Sequence, residues 1–156
     1  MSLFSNESLV LGLLVLVFLV VLLGFFLARK RCYIIAKPLL TENELEFYQR
    51  LRKALPEFTV LTQVSMSAFL RPSCAASEKE FWSARGRFAQ KFSDFVICDS
   101  NTMEIKVVIE LDDRTHLDAK DELRDQMLAE AGIDTLRFAS KSKPSHREIR
   151  QAVLAL

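Results

Sequence analysis

The sequence predicts an α/β domain, with helices packed on a mixed sheet, preceded by one transmembrane helix. Three observations carry that reading. Residues Leu9 to Leu27 form an unbroken run of 19 residues, 17 of them Leu, Val or Phe, interrupted only by Gly12 and Gly24. Beyond the run, short β-rich segments alternate with stretches of helical periodicity. Two of those stretches open on a capping box, Thr41-x-x-Glu44 and Ser145-x-x-Glu148, in which the hydroxyl and the carboxylate satisfy each other's backbone N–H groups.

At 1.5 Å per residue the apolar run makes a helix of about 28 Å, close to the ~30 Å hydrocarbon core of a bilayer. Each Leu, Val or Phe favours insertion by roughly 0.3–0.6 kcal/mol, so the whole run favours it by several kcal/mol. A core helix of a soluble protein would carry polar residues at a 3.6-residue period, and this run carries none. A cleaved signal peptide would want Lys or Arg ahead of a shorter stretch, then a small-x-small cleavage site. Here Met1 to Ser8 carry only Glu7, and Phe25-Phe26-Leu27 lead straight to Arg29-Lys30-Arg31. The run reads as an anchor. Basic residues on its C-terminal side alone predict an extracytoplasmic N-terminus (1–8), a membrane helix (9–27), a basic juxtamembrane connector (28–40) and a cytoplasmic domain (41–156). The connector contains Pro38 and is short, so the domain is expected close to the bilayer. Cys32, beside the membrane, is open to acylation or is a plain thiol.

Composition excludes several classes. The chain has 156 residues with 21 Lys+Arg against 20 Asp+Glu, which rules out a histone-like or acidic-tail protein. Four Gly and four Pro rule out collagenous and most disordered chains. Cys32, Cys74 and Cys98 form no CxxC pair and no Cys/His spacing, so neither a disulfide scaffold nor a zinc module is expected. Glu7 is the only charged residue of the first 27, which leaves 21 basic against 19 acidic residues in the rest. That balance lacks the excess that drives tight non-specific binding to nucleic acid.

Within the domain, the first capping box opens a helix to about Leu55, with Leu45, Tyr48, Leu51 and Leu55 as its apolar stripe and Pro56 as its stop. Phe58 to Val64 alternates as a strand. Residues 66–90 read as a loop around Pro72, Ser73 and Ser77, with a broken helix over Glu78 to Phe88. Asp94 to Asp99 and Ile105 to Asp112 are strands joined by turn chemistry at Ser100-Asn101-Thr102. Leu117 to Ala131 is a helix with Ala119, Leu123, Met127 and Ala131 on one face and Gly132 as its C-terminal stop. Asp134 to Phe138 is a short strand, and the second capping box opens a last helix to Leu156. The expected order is helix, three strands, helix, strand, helix.

The two central strands carry the chemistry. With Ser100 to Glu104 as the loop, Asp94 falls opposite Glu110, at a Cβ separation of about 4.5–5.5 Å. Asp112 follows on the same face about 7 Å along. Facing carboxylates in a sheet repel, and a hard divalent cation such as Mg²⁺ relieves them. The plain alternative is a solvated rim, acids at strand ends that block edge pairing.

Further residues join this hairpin. The segment Val107-Val108-Ile109-Glu110-Leu111-Asp112-Asp113-Arg114-Thr115-His116 is followed by Arg124-Asp125 on a helix, then by Gly132-Ile133 and Leu136-Arg137-Phe138. The pattern resembles the restriction-endonuclease-like PD-(D/E)XK superfamily, in the branch near the very-short-patch-repair-type endonucleases. More closely, it resembles the bacterial domain-of-unknown-function family 2726. The resemblance covers about Pro38 to Phe138, including the helix that carries Glu44 and the strand leading from Lys91 through Asp94 to Asp99. It implies a restriction-endonuclease-like core of helix, three strands, helix and strand, and a bacterial inner membrane for the anchor.

Carried over residue by residue, the resemblance makes Asp94 and Glu110 the two metal-binding carboxylates, with Mg²⁺ as the cofactor. It makes Glu44 a helix-borne acid for a second ion or a metal-bound water. Where the motif has lysine two residues after the second acid, this chain has Asp112. His116 is then a substitute acid or base, and Lys91 a cation that reaches in from the preceding strand. The implied partners are DNA or RNA, contacted through Lys91, Arg114 and Arg137 or through local basic patches at Arg50 to Lys53 and Arg85 to Lys91. Each residue also has a structural reading. Glu44 completes a cap, His116 contacts backbone, Arg124, Asp125 and Arg137 are surface groups, and Phe81 and Trp82 pack a loop on the core. Two functions follow as expectations: a membrane-anchored, Mg²⁺-dependent nuclease-like enzyme, or a silent nuclease-fold module that binds a protein or nucleic-acid partner.

Overall fold

The structure, a computed structural model, describes residues 6–27, 33–73, 77–112 and 119–156. The chain divides into two compact units, Met1–Lys37 and Pro38–Leu156. The first is built on α1 (Asn6–Leu27). Within it, Glu7–Phe25 has a mean hydropathy of 3.1 with its side chains unburied, so the helix is long and apolar enough to cross a membrane.

In the second unit the elements are α2 (Glu42–Ala54), β1 (Phe58–Ser65), α3 (Glu78–Gly86), β2 (Phe92–Asp99), β3 (Ile105–Asp112), α4 (Ala119–Glu130), β4 (Thr135–Ala139) and α5 (His146–Leu154). The strands form one sheet in the order β1-β2-β3-β4. The first three pair antiparallel as a meander, and β4 returns through α4 to lie parallel to β3. A parallel return needs such a crossover, because a tight turn reverses the strand direction. Short 3-10 turns follow β1 and β4. This is the mixed α/β architecture expected from the sequence, with one element added. The broken helix at Glu78 contracts to α3, capped by the Ser77 hydroxyl, which accepts from Glu80 N.

Strand alternation gives the sheet two apolar faces. On one, Phe95, Ile97, Val107 and Ile109 pack against Phe47, Leu51 and Ala54 of α2 and Ile149 and Val153 of α5. Phe47 is fully buried, edge-on to Phe95 at 5.5 Å and tilted against Phe138 at 5.7 Å. The stripe expected on α2 is therefore rotated. It centres on Phe47, while Leu45 is exposed, because the ring offers more apolar area to the sheet than Leu45 does. Both capping boxes form as read. Glu44 Oε2 accepts from Thr41 N at 2.7 Å and Glu148 Oε2 from Ser145 N at 2.7 Å. Asn43 donates to the Ser140 hydroxyl, and Lys143 pairs with Glu46 at 2.6 Å, tying α2 to the segment after β4.

The other face buries Val96, Cys98 and Val108 under Met66, Phe88, and Met127 and Leu128 of α4. Here too the expected stripe is turned. Leu123 is exposed, and the inward positions are Arg124, Met127 and Leu128. Gly132 takes φ +73°, the left-handed conformation of a helix stop. Cys98 is a buried free thiol, while Cys32 and Cys74 lie outside the described residues.

Candidate functional site

The β2–β3 register builds the site. Phe95 pairs with Ile109, Val96 with Val108 and Ile97 with Val107, so the next step places Asp94 opposite Glu110 as the hairpin reading expected. The loop end differs by one residue. Cys98 pairs with Ile105, and a bulge restores the register beyond it. The turn is held by Asp99, whose Oδ1 accepts from Asn101 N and Thr102 N at 2.8 and 3.0 Å. Asp94 and Glu110 share the face of Val96 and Val108, beneath α4.

The two acids differ in their surroundings. Asp94 Oδ2 accepts a hydrogen bond from Leu111 N at 3.0 Å. Burial pushes its carboxyl above the usual range, that hydrogen bond works against the shift, and the nearby charge of Glu44 adds to it. Glu110 is 2% exposed, so the solvated-rim reading does not describe it. Burial first, then the neighbouring Asp94, push its carboxyl up to about 8, against the pull of Arg124 and Arg137. Glu110 Oε2 lies 3.3 Å from Nη2 of Arg124, while Oε1 is buried with no hydrogen-bond partner among the described residues. An isolated buried carboxylate oxygen is costly, and a proton, a water or an ion would each relieve it.

Asp112, on the same face, is turned to β4. Arg137 Nη1 donates to Asp112 Oδ2 at 2.8 Å, while Nε and Nη2 donate to both oxygens of Asp125 at 3.1 and 2.9 Å. Burial works against the Arg137 charge, but the hydrogen bonds to Asp125 and Asp112 outweigh it and raise its pKa. Arg137 thus joins β3, β4 and α4 rather than facing solvent, and Asp125 is no loose surface acid.

Glu44 stands at the start of α2 in the capping role read from the sequence. Its Oε2 closes the capping box, and its Oε1 accepts from Gln63 Nε2 at 3.2 Å. Gln63 lies opposite Asp94, since Thr62 pairs with Phe95 and Val64 with Ser93, and it takes φ +51°. A left-handed glutamine inside a strand costs on the order of 1 kcal/mol or more, and such outliers gather at functional sites.

Lys91 precedes β2, and its side chain forms no ion pair or hydrogen bond among the described residues. Arg114 and His116 lie outside the described residues. Arg87 of the expected basic patch is paired with Glu130, and Arg50 with Glu46. Trp82 is 57% exposed, with Arg85 over its ring, and does not pack a loop on the core as expected.

A family model described as "Protein of unknown function (DUF2726)" matches residues 36–156. The chain belongs to the DUF2726 family. No curated protein and no solved structure matches it.

Two features of this DUF2726 domain escaped the sequence reading. Gln63 carries no signal, because nothing in an alternating strand announces a left-handed residue. Arg124 carries one that points outward, because a charged residue on a helix reads as solvated unless it falls on the inward period. Among the described residues no group of three or more His, Cys, Asp or Glu is placed to hold a metal ion. The acid pair alone suits Mg²⁺, which takes one or two carboxylates and fills its remaining positions with water and phosphate oxygens. Asp112, committed to Arg137, does not belong to that donor set.

Proposed function

We propose that this protein is a membrane-anchored, nuclease-like phosphodiesterase that uses Asp94 and Glu110 to hold Mg²⁺. The observation that carries the reading is Glu110, a buried carboxylate beside a second carboxylate, with one oxygen unpartnered among the described residues. Asp94 raises the proton affinity of Glu110, so the pair carries a repulsion that a cation would relieve. A divalent cation on the pair would polarise a phosphate oxygen and acidify a bound water.

The reaction is hydrolysis of a phosphodiester. Water adds its oxygen to phosphorus, the bond to one sugar oxygen breaks, and that oxygen leaves with a proton, giving a phosphate monoester and an alcohol. Asp94 is oriented by Leu111 N–H, so its second oxygen is available to the cation. Glu110 is fixed by the Arg124 ion pair at one oxygen and offers the other. Glu44, held by its own cap and by Gln63, contributes negative charge at the rim. The apolar α1 would tether the domain, and Arg29, Lys30 and Arg31 beyond it favour a cytoplasmic domain at a bacterial inner membrane.

A second reading, a silent module of the same fold, is favoured by one observation. Asp112 in the lysine position is occupied by Arg137 and serves to join strands and helix. One experiment separates the two. The full chain in detergent micelles is incubated with single- and double-stranded DNA and RNA, with Mg²⁺ or Mn²⁺. The nuclease reading expects metal-dependent cleavage that Asp94→Asn and Glu110→Gln abolish. Cleavage that survives both substitutions, or none by the wild type, would overturn it.

A further inference from the structure

The single tryptophan of the chain stands on a helix that gives none of its residues to the core. A spacing of three residues places Lys79, Trp82 and Arg85 on one side of α3. Trp82 is 57% exposed, and its contacts among the described residues all come from α3 itself. Its indole N–H donates to Glu78 Oε1 at 3.2 Å, Phe81 stands edge-on at 5.4 Å, and Arg85 lies over the ring at 5.9 Å. The Arg85 contact is made through the guanidinium plane and uses none of its N–H donors. The indole is thus pinned outside the core by its own helix.

The same stretch holds the basic excess of the domain. Residues 71–91 carry five Lys or Arg against two acids, whereas the rest of the chain beyond residue 27 carries 16 against 17. The near balance of the whole hides a local concentration of positive charge. Of the five cations, Arg87 is paired with Glu130, while the side chains of Arg71, Lys79 and Lys91 form no ion pair among the described residues. Residues 87–91 lead from α3 to β2, which carries Asp94, and Met66 N donates to Lys91 O at 2.9 Å to fix that connection. An exposed aromatic ring flanked by cations suits a strand of unpaired nucleotides, whose bases stack while their phosphates meet the charges. A duplex keeps its bases stacked inside and offers such a surface only its phosphates. We propose that α3 binds single-stranded nucleic acid, with one base stacked on Trp82 and Lys79 and Arg85 contacting the adjoining phosphates. The inference rests on the phosphodiesterase reading for its choice of nucleic acid over another polyanion, and it names the form of that substrate.

The test uses the full chain in detergent micelles with EDTA, so that binding is read without turnover. Trp82 fluorescence reports on this surface alone, because the chain has no other tryptophan. The probes are a labelled thymidine DNA, a uridine RNA and a DNA duplex, each of about 20 nucleotides, longer than a typical single-strand site of about 4–16. Both single strands are expected to quench Trp82, and the duplex to leave it unchanged. Trp82→Ala is expected to weaken single-strand binding about tenfold by fluorescence anisotropy, the loss of one stacked base. Trp82→Phe keeps a ring and is expected to stay within about threefold of the wild type. Lys79→Gln and Arg85→Gln in one chain are expected to flatten the log–log salt dependence by about 1.4, two phosphate contacts at about 0.7 each. Single-strand binding that leaves Trp82 unquenched, or that is equally tight in Trp82→Ala, overturns the proposal, as does equal quenching by the duplex. Should Trp82→Ala fail to fold, the quenching of the wild type and the salt slope decide. In nanodiscs, a blue shift of Trp82 with phosphatidylglycerol but not phosphatidylcholine, without response to oligonucleotide, assigns the surface to lipid and overturns the proposal. With Mg²⁺ restored, strand binding without cleavage sustains the proposal and brings down the phosphodiesterase reading. Cleavage by a wild type whose Trp82→Ala variant binds and cleaves equally well brings down the proposal alone.

Discussion

Glu110 stands one step beyond the Phe95–Ile109 pair, across the β2–β3 ladder from Asp94, and it is nearly inaccessible to solvent. The arrangement sets up a conflict within the fold. Strand alternation that buries Val96 and Val108 beneath α4 must also carry the two acids onto the same covered face. Among the described residues, the charges of Arg124 and Arg137 offset that repulsion at Glu110, and the Leu111 N–H offsets it at Asp94.

The conflict has a pH signature. Glu110 binds its proton more tightly in the folded chain, at about 8, than in the unfolded chain near 4.5. The metal-free protein therefore holds a proton there that the unfolded chain has lost, and its stability falls as pH rises from about 5 to 8. Glu110→Gln removes that dependence. In EDTA, its melting temperature is expected to exceed the wild type's at pH 8.5, by an amount corresponding to on the order of 3 kcal/mol, and to converge with it near pH 5. Parallel melting curves across that range would contradict the burial of a titrating Glu110.

Arg137 is expected to carry fold stability rather than binding. Arg137→Met leaves Asp112 and Asp125 without their shared partner and unpins α4, at a cost of roughly 2–4 kcal/mol in denaturant unfolding. Arg137→Lys recovers less than half of that, because an ammonium cannot bridge two carboxylates with a fixed fork. A loss below about 0.5 kcal/mol would place the pair with ordinary surface ion pairs.

Gln63 tests whether strain is stored at the site. Gln63→Gly relieves the left-handed backbone but releases Glu44 Oε1. Stability is expected to hold or rise by up to about 1 kcal/mol, while activity falls. A destabilisation beyond about 2 kcal/mol would mean that the side chain's contacts outweigh any strain.

Phe47 anchors the opposite face. Phe47→Ala empties the space between Phe95 and Phe138 and is expected to cost about 3–5 kcal/mol, read from chemical denaturation.

Local chemistry made much of this legible. Both capping boxes, the β2–β3 register and the order of strands and helices follow from residues close in sequence. The rotation of α2 and α4 does not, because several helical stripes pass through the same apolar residues and only the facing sheet selects one. On α2 the choice turned on Phe47 against Leu45. On α4 the inward face includes Arg124, which has meaning only once Glu110 is known to be buried beneath it. The placement of Asp94 opposite Glu110 was readable. That Asp112 leaves the pair for Arg137 was not, since it depends on the parallel return of β4.

The most direct measurement is a calorimetric titration of Mn²⁺ into the full chain in detergent micelles, beside Asp94→Asn and Glu110→Gln. Binding by the wild type that is lost in both variants, with their folds intact by circular dichroism, is the expected result. No binding by the wild type, or binding that persists in both variants, would contradict a metal site built on Asp94 and Glu110.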